Sequence, residues 1–128
     1  MWKQNNERCV PKRTNSGFTY ANRIEQSGPV LKVTTITNGD RGERSYTRDY
    51  QTDGSDQVSK ASDGDEFHTR VHWEGAALVF DTEEKERDRN LVTKETWTLL
   101  DGGKTLRKVR RTSGPRGDSE VIYILEKQ

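Results

Sequence analysis

Phe67-His68-Thr69-Arg70-Val71-His72-Trp73-Glu74-Gly75-Ala76-Ala77-Leu78-Val79-Phe80-Asp81 is the stretch that decides the fold of this chain. Phe67, Val71 and Trp73 share one parity before Glu74-Gly75, and Leu78 and Phe80 share one after it. Successive side chains of a strand point to opposite faces, so each half has one apolar and one polar face. The polar parity carries His68, Arg70 and His72 on one side of the turn and Asp81 and Glu83 on the other. Two registers satisfy this pattern. A turn at Glu74-Gly75 sets Val71 against Leu78 and His68 against Asp81. A register two residues later sets Trp73 against Leu78, Arg70 against Asp81 and His68 against Glu83. Both place apolar residues on one face and opposite charges on the other, and such cross-strand pairs contribute roughly 0.2–1 kcal/mol each. The segment is a β-hairpin.

The same rhythm runs through the rest of the chain. Gly28-Pro29, Asn38-Gly39-Asp40-Arg41-Gly42, Asp53-Gly54, Asp63-Gly64, Arg89-Asn90, Asp101-Gly102-Gly103-Lys104 and Gly114-Pro115-Arg116-Gly117 are turn signals. Their spacing of about 10–14 residues is that of an all-β sandwich or barrel. Between them apolar residues share parity: Phe18, Tyr20 and Ile24; Leu31 and Val33; Tyr46 and Tyr50; Trp97 and Leu99. Val121-Ile122-Tyr123-Ile124-Leu125 is apolar on both parities and predicts a strand covered on both sides. No window carries a helical repeat. Short connections favour antiparallel neighbours, and closure removes exposed edges. The expected fold is therefore all-β, with a single domain over residues 1–128. Its architecture is an antiparallel meander barrel of about eight or nine strands.

Composition narrows the function. Of 128 residues, 28% are apolar and 34% charged, and 22 basic against 21 acidic residues leave a net charge of +1. The length suits one domain with one core. The low apolar fraction would permit disorder, but the patterning opposes it. No stretch approaches the roughly 20 apolar residues of a membrane-spanning helix. The balanced charge argues against a nucleic-acid partner. The basic run Arg107-Lys108-Val109-Arg110-Arg111 sends charges to both faces and has no interleaved aromatics for base stacking. Cys9, the single cysteine, allows no internal disulfide and is read as an inert or solvent-facing thiol. No metal or cofactor is expected. The acidic run from Asp81 to Asp88 lacks calcium-loop spacing, and no phosphate loop, nucleophile elbow or zinc signature is present. His68 and His72 would lie about 13 Å apart on a strand, too far to share an ion. They read as solvent-facing partners of Asp81 or Glu83.

Several motifs recur together: Trp2-Lys3-x-Asn5, Val71-x-Trp73-x-Gly75-x-Ala77-Leu78-Val79-Phe80, Glu95-Thr96-Trp97-Thr98-Leu99 with Asp101-x-Gly103-Lys104-Thr105-Leu106, Ser113-Gly114-Pro115-x-Gly117 and Glu126-Lys127-Gln128. As a set, over nearly the whole chain, they resemble a family of small lipocalin-like bacterial proteins of unassigned function. The resemblance implies a closed antiparallel barrel, a calycin-type internal pocket and a periplasmic or secreted location. It brings no catalytic residues. No signal peptide is visible at Met1-Trp2-Lys3-Gln4, and the Gly-x-Trp opening of lipocalins has no counterpart here.

If the apolar parity faces inward, polar residues ride with it. Asn22 lies between Tyr20 and Ile24, Arg48 between Tyr46 and Tyr50, and Glu95 two residues before Trp97. A two-residue turn at Gly102-Gly103 sets Trp97 against Lys108 and Glu95 against Arg110. Charges inside a barrel are costly unless paired, hydrated or used by a ligand. The leading expectation is a site for a small hydrophobic or amphipathic ligand, anionic ones included. Arg48 and Arg110 would meet its head group, with Glu95 nearby. Tyr20, Tyr46, Tyr50, Phe67, Phe80 and Trp97 would line its apolar part. Two other readings stand beside it. One is a metal-free isomerase or cyclase using Tyr46, Arg48 or Glu95. The other is an interaction module whose barrel is filled, with an internal Arg–Glu pair.

Overall fold

The computed structural model describes residues 1–11, 19–60, 65–85, 90–114 and 117–128. Phe18, Asp63-Gly64, Arg89, Pro115-Arg116 and residues 86–88 of the acidic run lie outside the described residues. Ten strands form one antiparallel sheet. They are β1 (Trp2–Gln4), β2 (Thr19–Ser27), β3 (Val30–Gly39), β4 (Gly42–Gln51), β5 (Gln57–Lys60), β6 (Glu66–Glu74), β7 (Ala77–Lys85), β8 (Asn90–Leu100), β9 (Thr105–Gly114) and β10 (Gly117–Lys127). Their lateral order is β4-β3-β2-β1-β10-β9-β8-β7-β6-β5. The count exceeds the expected eight or nine because β1 and β5 have only three and four residues. Strands that short leave no readable alternation. Among the described residues the helical elements are two 3-10 turns, Asn6–Arg8 and Asp101–Gly103. No helix there is long and apolar enough to cross a membrane.

The hairpin that opened the reading takes the second of its two registers. Trp73 faces Leu78, Arg70 faces Asp81 and His68 faces Glu83, so the turn residues are Gly75 and Ala76. Gly75 sits at φ 60°, which a tight hairpin turn requires and a side chain resists. The β8–β9 hairpin sets Trp97 against Lys108 and Glu95 against Arg110, as the sequence suggested.

The sheet curls until its two edge strands, β4 and β5, lie beside each other. No ladder joins them among the described residues. Curling brings the ring of Tyr50 on β4 edge-on to Phe80 on β7, with centroids 5.2 Å apart. At the seam one side chain replaces the missing ladder. The Gln51 N–H donates to Gln57 Oε1 at 3.0 Å, and Gln57 Nε2 donates to the Gln51 carbonyl at 3.1 Å. The result is a nearly closed barrel.

Inside, Leu31, Val71, Leu78, Leu106 and Leu125 pack into one cluster with Phe80 and Trp97. Outside, the chain from Asn5 to Val10 lies over β10. The Asn5 N–H donates to the Ile124 carbonyl at 2.8 Å, and Val10 bridges Ile122. Ile124 and Leu125, on opposite parities, are both buried, so the strand that is apolar on both parities is covered on both sides there. Cys9 is buried as well, and its thiol donates to the Asn5 carbonyl at 3.3 Å. The expectation of a solvent-facing Cys9 is thus corrected. Trp73 and Leu99, expected on the inner face, are 47% and 57% exposed. Each stands at the end of its strand, where alternation continues but the opposing wall stops.

On the outer face His68 pairs with Asp56 at 3.0 Å and Glu66 at 3.5 Å rather than with Asp81. His72 takes Glu74 at 3.1 Å and reaches Asp81 only at 3.9 Å. The hydrogen bond that His68 donates to Asp56 holds its imidazole above the ordinary value. That attachment is complete below about pH 6.5 and is lost as pH rises through the raised value. Among the described residues no cluster of three His, Cys, Asp or Glu side chains could hold a metal ion.

Candidate functional site

The apolar cluster fills only part of the barrel. Beside it, two residues along β8 and β9 from the Trp97–Lys108 pair, the inner face turns polar at Glu95 and Arg110. The space between is a cavity of about 190 Å³. Tyr20, Tyr46, Arg48 and Tyr50 line it from β2 and β4. Phe80, Glu95, Trp97 and Arg110 line it from β7, β8 and β9. Eight of the residues singled out from sequence therefore meet in one place. Phe67 is half-buried on β6 and does not line this cavity. Tyr46 is 56% exposed, which puts it at the rim rather than inside.

Four further residues line it that were not assigned to the site from sequence: Val33, and Asn22, Thr35 and Lys108, which form its polar interior. Lys108 is only 4% exposed, and Asn22 and Thr35 are buried with it. Asn22 Nδ2 donates to Thr35 Oγ1 at 3.1 Å, and Lys108 Nζ donates a short hydrogen bond to Asn22 Oδ1. This chain ties β9 to β2 and β3 across the barrel. The ammonium also stands 4.2 Å from the centre of the Trp97 ring and 5.7 Å from that of Tyr20. Burial pushes the Lys108 pKa down to about 8, with Glu95 pulling weakly the other way. Burial also raises the Tyr20 and Tyr50 phenols above 10. The signal that could have found Lys108 was its register opposite Trp97. A lysine in a basic run reads as solvated, and only closure against Asn22 buries it.

Removing the acceptor should be costly. We expect Asn22→Ala to lower unfolding stability by about 2 kcal/mol, because a buried ammonium and a buried hydroxyl both lose their partner. Urea titration reads this directly, and an unchanged midpoint would show that water replaces the amide.

The cavity is electropositive. Arg48, Lys108 and Arg110 face Glu95, so three cations against one carboxylate leave 3 − 1 = +2. Arg110 reaches Glu95 at 3.5 Å and also lies over the Tyr123 ring at 5.4 Å. Arg48 sits 5.9 Å from the centre of the Tyr46 ring, and its charge partly offsets the rise of the Tyr50 phenol. Trp97 Nε1 is buried and has no hydrogen-bond partner among the described residues. Such a donor carries an unmet desolvation cost until an acceptor enters.

No protein-family model matches the sequence, and no curated protein does either. Solved structures do match in shape. Lipid binding protein 8 of Caenorhabditis elegans superposes with a TM-score of 0.70 at 12% identity, over 99% of this chain and 92% of that one. Fatty-acid-binding protein 1 of Echinococcus granulosus gives 0.65 at 11% identity, over 98% and 93%. Zebrafish ileal bile acid-binding protein, in complex with cholic acid, gives 0.61 at 16% identity, over 99% and 95%. At such identities the likeness establishes the fold, an antiparallel calycin-type barrel. The lipocalin-like resemblance holds at that level and no finer.

Proposed function

We propose that this protein binds a small anionic amphiphile, head group inward, in the cavity beside the filled end of the barrel. One observation carries the reading. A cavity with a net charge of +2 is walled by aromatic rings. A carboxylate supplies the missing charge, and Arg48 and Arg110 can each offer it a bidentate fork. The names of the structural neighbours, which speak of fatty acids, lipid and bile acid, support the same class.

Size limits the ligand. Usual small-molecule pockets span roughly 300–1,000 Å³. About 190 Å³ accommodates a head group and a short chain. A longer tail has a way out. Arg48 and Tyr50 also line a second hollow of about 240 Å³ at the β4–β5 seam, together with Gln57, Ser59 and Thr69. An exported location, suggested by the resemblance to lipocalin-like bacterial proteins, belongs to the same proposal.

The test is titration with octanoate and with octanol, followed by calorimetry and by tryptophan emission. Octanoate should bind at one site and octanol at least about tenfold more weakly. Arg48→Met and Arg110→Met should each weaken octanoate by about tenfold, the equivalent of one charge-assisted hydrogen bond. Equal binding of acid and alcohol, or no saturable binding of either, would overturn the reading.

A further inference from the structure

We infer that Lys108 is a covalent attachment point: its side-chain amine condenses reversibly with an aldehyde-bearing amphiphile that enters the cavity, forming an imine. The inference rests on the reading of the cavity as an amphiphile site and adds a second chemical class of ligand to it.

Three features of the geometry carry it. The amine lines the cavity, so an entering head group meets it. Among the described residues no carboxylate is hydrogen-bonded to it. Its bonded partner is the neutral Asn22 amide, while Glu95 is engaged by Arg110. A neutral amine can donate one N–H to Asn22 and keep its lone pair for a carbonyl carbon. Finally, the rings of Trp97 and Tyr20 stand at 4.2 and 5.7 Å from Nζ. They form an apolar collar that shields an imine from water and favours its cationic form.

The step balances without an external reagent. The neutral amine attacks the aldehyde carbon, and a proton moves from nitrogen to oxygen to give a carbinolamine. Loss of hydroxyl with the remaining N–H proton releases one water and leaves the C=N bond. Desolvation supplies the nucleophile, because burial brings the ammonium down to about 8 and leaves a usable neutral fraction at neutral pH. Lysines such as Lys3, Lys32 and Lys94 are exposed and lack this enclosure.

The experiment incubates the full chain with octanal and cyanoborohydride near pH 8. Intact mass and peptide mapping then locate the trapped octyl group. The expected result is one group per chain, on Lys108, formed at least about tenfold faster than on any other lysine and slowed by excess octanoate. Lys108→Arg should abolish the single modification, because a guanidinium does not condense to the trapped amine. Should that variant fail to fold, protection of wild-type Lys108 by octanoate reads the same point. Octyl groups spread over surface lysines with no enrichment at Lys108 would overturn the inference, even with octanoate binding intact. Labelling of Lys108 unaffected by octanoate would sustain the imine and overturn the anionic reading instead.

Discussion

Leu125→Ala should destabilise the protein by about 3 kcal/mol, within the roughly 2–5 kcal/mol range of buried leucine truncations. Leu125 is fully buried at the filled end of the barrel. On β10 it faces Leu106 of β9 on one side and Gln4 of β1 on the other. The substitution removes methyl groups from the cluster that also holds Leu31, Val71 and Leu78, and the two ladders that fix β10 there hold the walls apart. A domain this size has about 5–15 kcal/mol in total, so the variant should unfold at a visibly lower urea concentration with an unchanged slope. Nearby Leu99 is 57% exposed, and Leu99→Ala should change stability by less than about 0.5 kcal/mol. Equal losses at the two positions would mean that the inner cluster is not the core.

The second large effect is an unusual pH profile. Lys108 falls from 10.5 to about 8 on folding. Its folded form therefore binds fewer protons than its unfolded form between those values, and stability rises with pH across that window. The full difference corresponds to about 3 kcal/mol, most of it gained between pH 8 and pH 10. Above pH 10 the sign reverses. Tyr20 and Tyr50 hold their protons longer in the folded state, so their contribution is lost as pH climbs through the raised values. Stability should thus peak near pH 10. Lys108→Met removes the ammonium but keeps the stem, and its urea midpoint should stay flat from pH 8 to pH 10. A flat wild-type profile would show that water reaches the amine.

These two residues also mark what the sequence could and could not disclose. Leu125 belongs to a run whose parity announced a covered strand, because alternation is local and survives any topology. The same applies to Trp97 opposite Lys108 and to Glu95 opposite Arg110, both fixed by one turn. Lys108 itself was illegible as a buried residue. Its burial depends on Asn22, 86 positions away, being brought across by closure of the barrel. Cys9 failed for a like reason, since its cover comes from folding back onto Ile122 and Ile124. Trp73 and Leu99 failed differently. Their parity is correct, but a parity says nothing about where the opposite wall ends. Phe67 shares that parity as well, yet lies outside the cavity that Phe80 lines.

The little strand β1 has a consequence for how the chain reaches this state. Eight of the nine described ladders join strands adjacent in sequence, and one, β1 with β10, joins the two ends of the chain. Hairpins of that kind close quickly because little loop entropy is lost, whereas an end-to-end contact is slow to find. Two preassembled leaves, β2–β4 and β5–β10, would then meet through three residues, Trp2, Lys3 and Gln4. Weakening that zipper should slow the last kinetic phase and leave the earlier ones untouched.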